Sequence, residues 1–538
     1  MKTDIFSLIH WKRICRAGMA FGLAGTSLIA AETYDVLIRG GRLLDGTGTP
    51  WRYADVGITG DRLVAVGPIA ANATAKLVVD ARGKYVTPGF IDAHSHAARG
   101  LDNAEVAAAG AQLFQGVTAV VINIDGGGPA DLAPQFDQIR QCKPGVNVVP
   151  TIGNNAVRMA VMGNVDRAPT PAELKQMEDL VRQAMKLGAF GFTSGIWQNP
   201  GLFTKVDEMI ALARVAAEFP GAFYNCHIRD EGDYNIGLVA SVDEVIEVAR
   251  AAGLPGIVTH IKAYGPAVRG KSAEVIQHIN AARAAGIQVW ADQYPYNFAG
   301  GSMVSGTMPR WVQEGGEKAR MARMADPKII NQIRPEMIAN LSRAGGPENI
   351  VVRSYEPDRS IEGLRLSEIA RARQQEPIDT VIDLLKKGGV GMIAFNMQEA
   401  DVEAFMKQPW TMTCSDGDLP KFGEGQAHPR SYGTFPRKLQ RYAIDQGVIT
   451  LEHAVHTSSG LPAAVMGIKN RGLLLPGAYA DVLVFDTKTL QETATWQKPH
   501  AYATGMDYVF VNGDAAIAGG RLVDQRFGRV LLRDKQDY

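Results

Sequence analysis

Gly89-Phe-Ile-Asp-Ala-His94-Ser-His96 is the stretch whose reading decides the fold. A short apolar run ends in two histidines at i and i+2, and on extended backbone that spacing sends both imidazoles to one side. Seven more apolar runs follow: Ala119-Val-Val-Ile, Val146-Asn-Val-Val-Pro, Phe190-Gly-Phe-Thr, Phe223-Tyr-Asn, Gly256-Ile-Val-Thr, Ile287-Gln-Val-Trp and Trp410-Thr-Met-Thr. Helical patterns separate them. Thr170-Pro-Ala-Glu173 and Ser241-Val-Asp-Glu244 read as capping boxes, with Pro171 at the first helical position. Apolar strands alternating with helices imply a parallel sheet covered on both faces, within the α/β class. Eight such strands are the number of a (β/α)8 TIM barrel, whose catalytic groups stand at the C-terminal ends of the strands.

Outside this region the texture changes. Residues 32–86 and 476–538 hold short alternating segments such as Tyr34-Asp-Val-Leu-Ile-Arg and Tyr508-Val-Phe-Val-Asn-Gly. They are expected to build one small β-sandwich domain from the two chain ends. Residues 87–475 form the barrel, with an insertion over its mouth at about 298–397. At 538 residues, a large barrel plus a smaller domain is the natural division. Lys12, Arg13 and Arg16 precede the small and apolar stretch Ala17–Ile29, and Ala30-Ala31 is a cleavage point before Glu32. Residues 1–31 thus read as a signal peptide, placing the mature protein in the periplasm or outside the cell.

Charge excludes several function classes. Lys+Arg and Asp+Glu balance at 56 each, which leaves no electrostatic footprint for nucleic acid and no polybasic patch for a membrane. No later segment is long and apolar enough for a membrane span. The odd cysteines Cys142, Cys226 and Cys414 suggest no disulfide framework. The expected partner is a small molecule, and the oligomeric state is not legible.

Two further histidines close apolar runs, His227 after Phe223-Tyr-Asn-Cys and His260 after Ile257-Val-Thr. Either alone reads as a core or surface histidine. Asp416 in Thr413-Cys-Ser-Asp416-Gly alone reads as a turn. As a set at strand ends, four histidines and an aspartate describe a metal site with an attached general base.

The order His-x-His, His, His, Asp along strands one, five, six and eight resembles the amidohydrolase superfamily. Longer motifs narrow the likeness. Tyr224-Asn-Cys-His-Ile-Arg-Asp-Glu-Gly, Thr259-His-Ile-Lys, Asp292-Gln-Tyr-Pro-Tyr296, Gly191-Phe-Thr-Ser-Gly and His428-Pro-Arg-Ser-Tyr-Gly-Thr-Phe-Pro436 are similar to those of D-aminoacylases, the N-acyl-D-amino-acid deacylases. The resemblance implies zinc-dependent hydrolysis of the amide of N-acyl-D-amino acids. His227 and His260 would bind one tight zinc, and His94 and His96 a weaker second. Asp416 would move the proton. Lys262, Tyr294 and Arg430 would hold the substrate's α-carboxylate. Asp125 in Gly116-Val-Thr-Ala-Val-Val-Ile-Asn-Ile-Asp125 stands where the family carries a cysteine ligand. The strand-four segment Ala189-Phe-Gly-Phe-Thr-Ser-Gly has no lysine to bridge two metals, and Gln198 replaces a tyrosine common in the family. The alternatives are a dipeptidase or cyclic-amide hydrolase with the same constellation, and a catalytically dead periplasmic binding protein.

Overall fold

The computed structural model describes residues 32–535, so the expected signal peptide lies outside the described residues. The chain is mixed α/β. Eight short strands carry the centre of the molecule: β1 (Phe90–Asp92), β2 (Val117–Ile122), β3 (Asn147–Pro150), β4 (Gly191–Gly195), β5 (Phe223–His227), β6 (Gly256–Val258), β7 (Val289–Gln293) and β8 (Thr411–Thr413). β1, β2 and β3 pair in parallel, and β4 to β8 form a second parallel array in the order β8-β7-β6-β5-β4. The short strand Ile152–Gly153 continues from β3 onto β4. On the other flank, Asp416 N–H donates to the His94 carbonyl at 2.9 Å, linking the segments that follow β8 and β1.

Register aligns the C-terminal ends. Gly195 lies opposite His227, and Gln293 opposite Thr413. Alternation then sorts the side chains of β5: Phe223 joins an inner cluster with Ile257 and Met412, while Tyr224 and Cys226 face the surrounding helices. The helices Pro171–Leu187, Val206–Ala217, Leu238–Ala252 and Ser272–Ala284 supply that outer layer through Met177, Val181, Leu212, Val245 and Ile279. Thr170 and Glu173 form the reciprocal capping box read from the sequence.

The second capping box, at Ser241, is not formed. That helix starts three residues earlier, at Leu238, behind Gly237 with φ of 83°. The cause lies upstream. The Asp230 carboxylate accepts the backbone N–H groups of Gly232, Asn235 and Gly237, folding the loop tightly enough to launch the helix early. Ser241 is consequently buried inside it.

The segment 298–397 contains a three-stranded antiparallel sheet, Ala299–Ser302, Gly391–Ala394 and Ile350–Ser354. Met303, Met337, Val352, Val381 and Leu384 give it a core of its own. The two chain ends meet where Val482–Phe485 pairs antiparallel with Tyr85–Pro88. Hydrogen bonding links all their strands into one nine-stranded sheet. No helix among the described residues is long and apolar enough to cross a membrane.

Candidate metal centre and active site

Each candidate ligand arrives from a strand end or the loop just beyond it. His94 and His96 follow β1, Asp125 follows β2, His227 ends β5, and His260 follows β6. Period-two alternation from Ile257 would turn His260 away from the centre. A positive φ of 33° at His260 breaks the alternation and brings its ring back. Asp125, at φ of 56°, is likewise held in the left-handed region. Gly195 permits this loop to sit where it does, since a Cβ there would lie 2.1 Å from the Asp125 carbonyl oxygen.

Asp125 is the hub. Its Oδ2 lies 3.4 Å from His94 Nε2, 3.5 Å from His96 Nε2 and 3.6 Å from His227 Nδ1, and its Oδ1 lies 3.8 Å from His260 Nε2. Two overlapping donor sets result, His94–His96–Asp125–Asp416 and Asp125–His227–His260. The structure thus brings together all five residues read from the sequence as metal ligands, with Asp416 beside them.

These residues fit a divalent cation by their own accounting. Both ring nitrogens of His94, both of His227, and Oδ1 of Asp125 are buried without a hydrogen-bond partner. An unsatisfied buried polar group costs about 1–3 kcal/mol. One nitrogen of each ring, His94 Nε2 and His227 Nδ1, faces the Asp125 carboxylate, and a cation held there would satisfy that part of the set. Nitrogen and oxygen donors of this kind suit zinc and its neighbours in the first transition row.

Asp416 is positioned from two sides. Arg430 Nη1 donates to Oδ2 at 2.7 Å, while Oδ1 faces His96 Nε2 at 3.1 Å and His94 Nε2 at 3.5 Å. Burial opposes its ionisation, yet Arg430, with His260, holds the carboxyl well below the usual carboxylate range. Beneath it, Asp92 accepts Ser415 N–H at 2.8 Å and also the Ser415 hydroxyl, tying β1 to the segment after β8.

The three candidate substrate-binding residues line the same cavity of about 540 Å³ as His96, Asp125, His227 and His260, with His94 buried behind it. Tyr294 stands between the two cations, with Lys262 Nζ 5.6 Å and Arg430 Cζ 4.9 Å from its ring centroid. Tyr294 Oη and Arg430 Nε are buried with no hydrogen-bond partner. Lys262 is more committed than the sequence reading assumed: it pairs with Glu231 and lies 2.6 Å from His260 Nδ1. Glu231 Oε1 also approaches His260 Nδ1 at 3.0 Å. Sequence reasoning missed this role for Glu231, although it sits four residues beyond His227 in a motif quoted above. Asp292 was also missed; it accepts the His260 backbone N–H at 2.6 Å. Arg353, from the insertion, enters the cavity and pairs with Asp418 at 2.9 Å.

Comparison with known proteins agrees with this geometry. Residues 77–516 match the profile of the Amidohydrolase family. An N-acyl-D-glutamate deacylase of Alcaligenes xylosoxydans xylosoxydans is 35% identical over 524 residues, covering 94% of this chain and 97% of the relative. A D-aminoacylase of the same organism is 34% identical, covering 94% and 98%. Among solved structures, a D-aminoacylase described as having a binuclear metal centre superposes with a TM-score of 0.78 at 31% identity, covering 93% of this chain and 100% of the other. The N-acyl-D-glutamate deacylase of Bordetella bronchiseptica, solved with zinc and a phosphonate mimic of the tetrahedral intermediate, gives 0.79 at 32%, with the same coverage. With family profile, full-length relatives and strand-end ligands in agreement, this chain belongs to the amidohydrolase family.

Proposed function

We propose that this enzyme hydrolyses the amide bond of N-acyl-D-amino acids, releasing a carboxylate and a free D-amino acid, with zinc held by His227, His260 and Asp125 and a weaker second position at His94 and His96. The observation that carries the reading is spatial. One cavity holds the unsatisfied histidine–aspartate cluster, the poised Asp416 and the unpartnered donors of Tyr294 and Arg430.

A divalent ion in the cluster supplies Lewis acidity, polarising the scissile carbonyl and making water acidic enough to attack near neutral pH. The residues do the rest. Asp416 accepts the proton of the attacking water on the oxygen that faces the histidines, because Arg430 occupies the other. It then delivers that proton to the departing nitrogen, without which an amine leaves too slowly. Arg430 Nε and Tyr294 Oη lie beside the same space and hold the α-carboxylate, a charge-assisted contact stronger than a neutral one. Lys262 adds positive charge there while keeping Glu231 against His260.

The architecture belongs to the same reading: the two parallel arrays close as a (β/α)8 barrel, and the sheet from the chain ends folds over as a small sandwich. Export through residues 1–31 would place the enzyme in the periplasm. The experiment is kcat/KM for matched N-acetyl-D and N-acetyl-L pairs with several side chains, on zinc-loaded protein of measured metal content. A D preference across the panel is expected. Equal rates, a preference for L, or protein that holds no zinc would refute the proposal.

A further inference from the structure

A second cavity of about 360 Å³ opens beside the catalytic one, and the two share Trp197 and Ser305 in their walls. Trp197, Tyr234, Met308 and Trp311 supply the apolar part of its wall, set among polar and charged side chains that include Asp166, Arg310 and Glu336. Trp197 meets Tyr234 edge to face with ring centroids 4.9 Å apart, and the Arg310 guanidinium lies 5.7 Å from the Trp197 ring. Trp311 is 41% exposed, a large apolar surface presented to an open space.

We propose that this annex receives the acyl half of the substrate, and that the acyl group suited to it carries an aromatic ring, as an arylacetyl group does. The inference rests on the deacylase reading above and deepens it. Direction comes first. The residues that would hold the α-carboxylate stand beyond β6, β7 and β8, whereas Trp197 follows β4, two to four strands away in the same array. A trans amide places its Cα and its acyl carbon at opposite ends of the C–N bond. With the carboxylate held at Tyr294, the acyl group runs away from β8 and toward Trp197.

Chemistry comes second. Offset and edge-to-face contacts with Trp and Tyr reward a ring, and a nearby guanidinium adds an electrostatic attraction to its face. An acetyl group brings no ring to place there. Binding energy gained so far from the scissile bond can be used to orient the amide, so it raises kcat/KM.

The test compares N-acetyl-D-alanine, N-phenylacetyl-D-alanine and N-acetyl-D-phenylalanine on the parent and on Trp311→Ala, which alters the annex but not the catalytic cavity. The phenylacetyl substrate should exceed the acetyl one by roughly 10–100-fold in kcat/KM. Trp311→Ala should remove most of that advantage and leave N-acetyl-D-alanine unchanged. Equal rates for the two acyl groups would overturn the proposal. So would a loss in Trp311→Ala confined to the phenylalanine side chain, which would assign the annex to the amino-acid half. Titration calorimetry with phenylacetate and acetate reads the annex without turnover. Tighter, Trp311-dependent phenylacetate binding in a protein that hydrolyses none of the three amides would sink the deacylase reading and still support an aryl-acid site. No difference between the two acids would dispose of the annex itself.

Discussion

Replacing Gly195 with alanine should weaken the hold on the metal without changing any ligand or catalytic side chain. The Cβ would lie 2.1 Å from the Asp125 carbonyl oxygen and 2.8 Å from its carbonyl carbon. Real Cβ contacts essentially never fall below 3.0 Å, so one backbone must retreat from the other by about 0.9 Å. No flexible side chain stands between them to absorb the change. The Asp125 carboxylate, whose oxygens lie 3.4–3.8 Å from four imidazoles, would move with its backbone. A metal ligand is tolerant of about 0.2 Å, several times less than the displacement. Even substitutions that act on a metal through its supporting residues cost about 10–100-fold in affinity, and that range is the expected loss here. Overpacking adds about 1–3 kcal/mol of destabilisation to the metal-free protein. Chelator competition gives the zinc Kd, and thermal unfolding of the metal-free forms separates lost stability from lost binding. Gly127→Ala is the control, since its Cβ would approach only the Ile124 carbonyl, at 3.1 Å. If Gly195→Ala bound zinc within a few-fold of the parent at unchanged stability, Asp125 would not be the hub of the centre.

Three further outcomes are expected. Asp416→Asn should keep fold and zinc but lose about 10²–10⁴ in kcat, because an amide accepts no proton; turnover at equal zinc content checks this, and a variant within a few-fold of the parent removes Asp416 from the role. Lys438 is buried with the Thr413 and Thr457 hydroxyls as its partners, at 2.7 and 2.9 Å, and burial pushes its amine down to about 7. The unfolded chain therefore binds more protons between about pH 7 and 10.5, so this residue's contribution to stability should rise with pH across that window and be flat below it. Lys438→Met should remove that slope in denaturant titrations from pH 6 to 10, and an unchanged slope would show the amine charged in the fold. N-terminal sequencing of natively expressed enzyme should find Glu32 or a close neighbour first; an intact Met1 on the active protein would refute export.

The division between what the residues disclosed and what they hid follows from how each side chain is aimed. His227 was legible because a short apolar run fixes where its strand ends and so which residue stands at the rim of the shared cavity. Asp416 was placed past such an end too, although it also depends on a left-handed backbone, at φ of 48°. The motif order added Asp125, which no periodicity would have singled out: it depends on a left-handed backbone at φ of 56° and on the empty space at Gly195. Glu231 and Arg353 were hidden for a different reason. Glu231 reaches His260 and Lys262, 29 and 31 residues further on, only because β5 and β6 are neighbours. Arg353 arrives on a strand of the insertion, a region whose own core makes it read as a separate unit. The early helix start at Leu238 belongs to the same class, since it is decided by the Asp230 carboxylate gathering three backbone N–H groups ahead of the helix. Arg430 shows the boundary most sharply. The sequence reading placed it on the substrate, and the structure uses one arm of its fork for Asp416 while leaving Nε unpartnered in the same cavity. A single guanidinium can therefore align the proton-transfer carboxylate and receive a substrate carboxylate, and removing it should disturb kcat and KM together rather than KM alone.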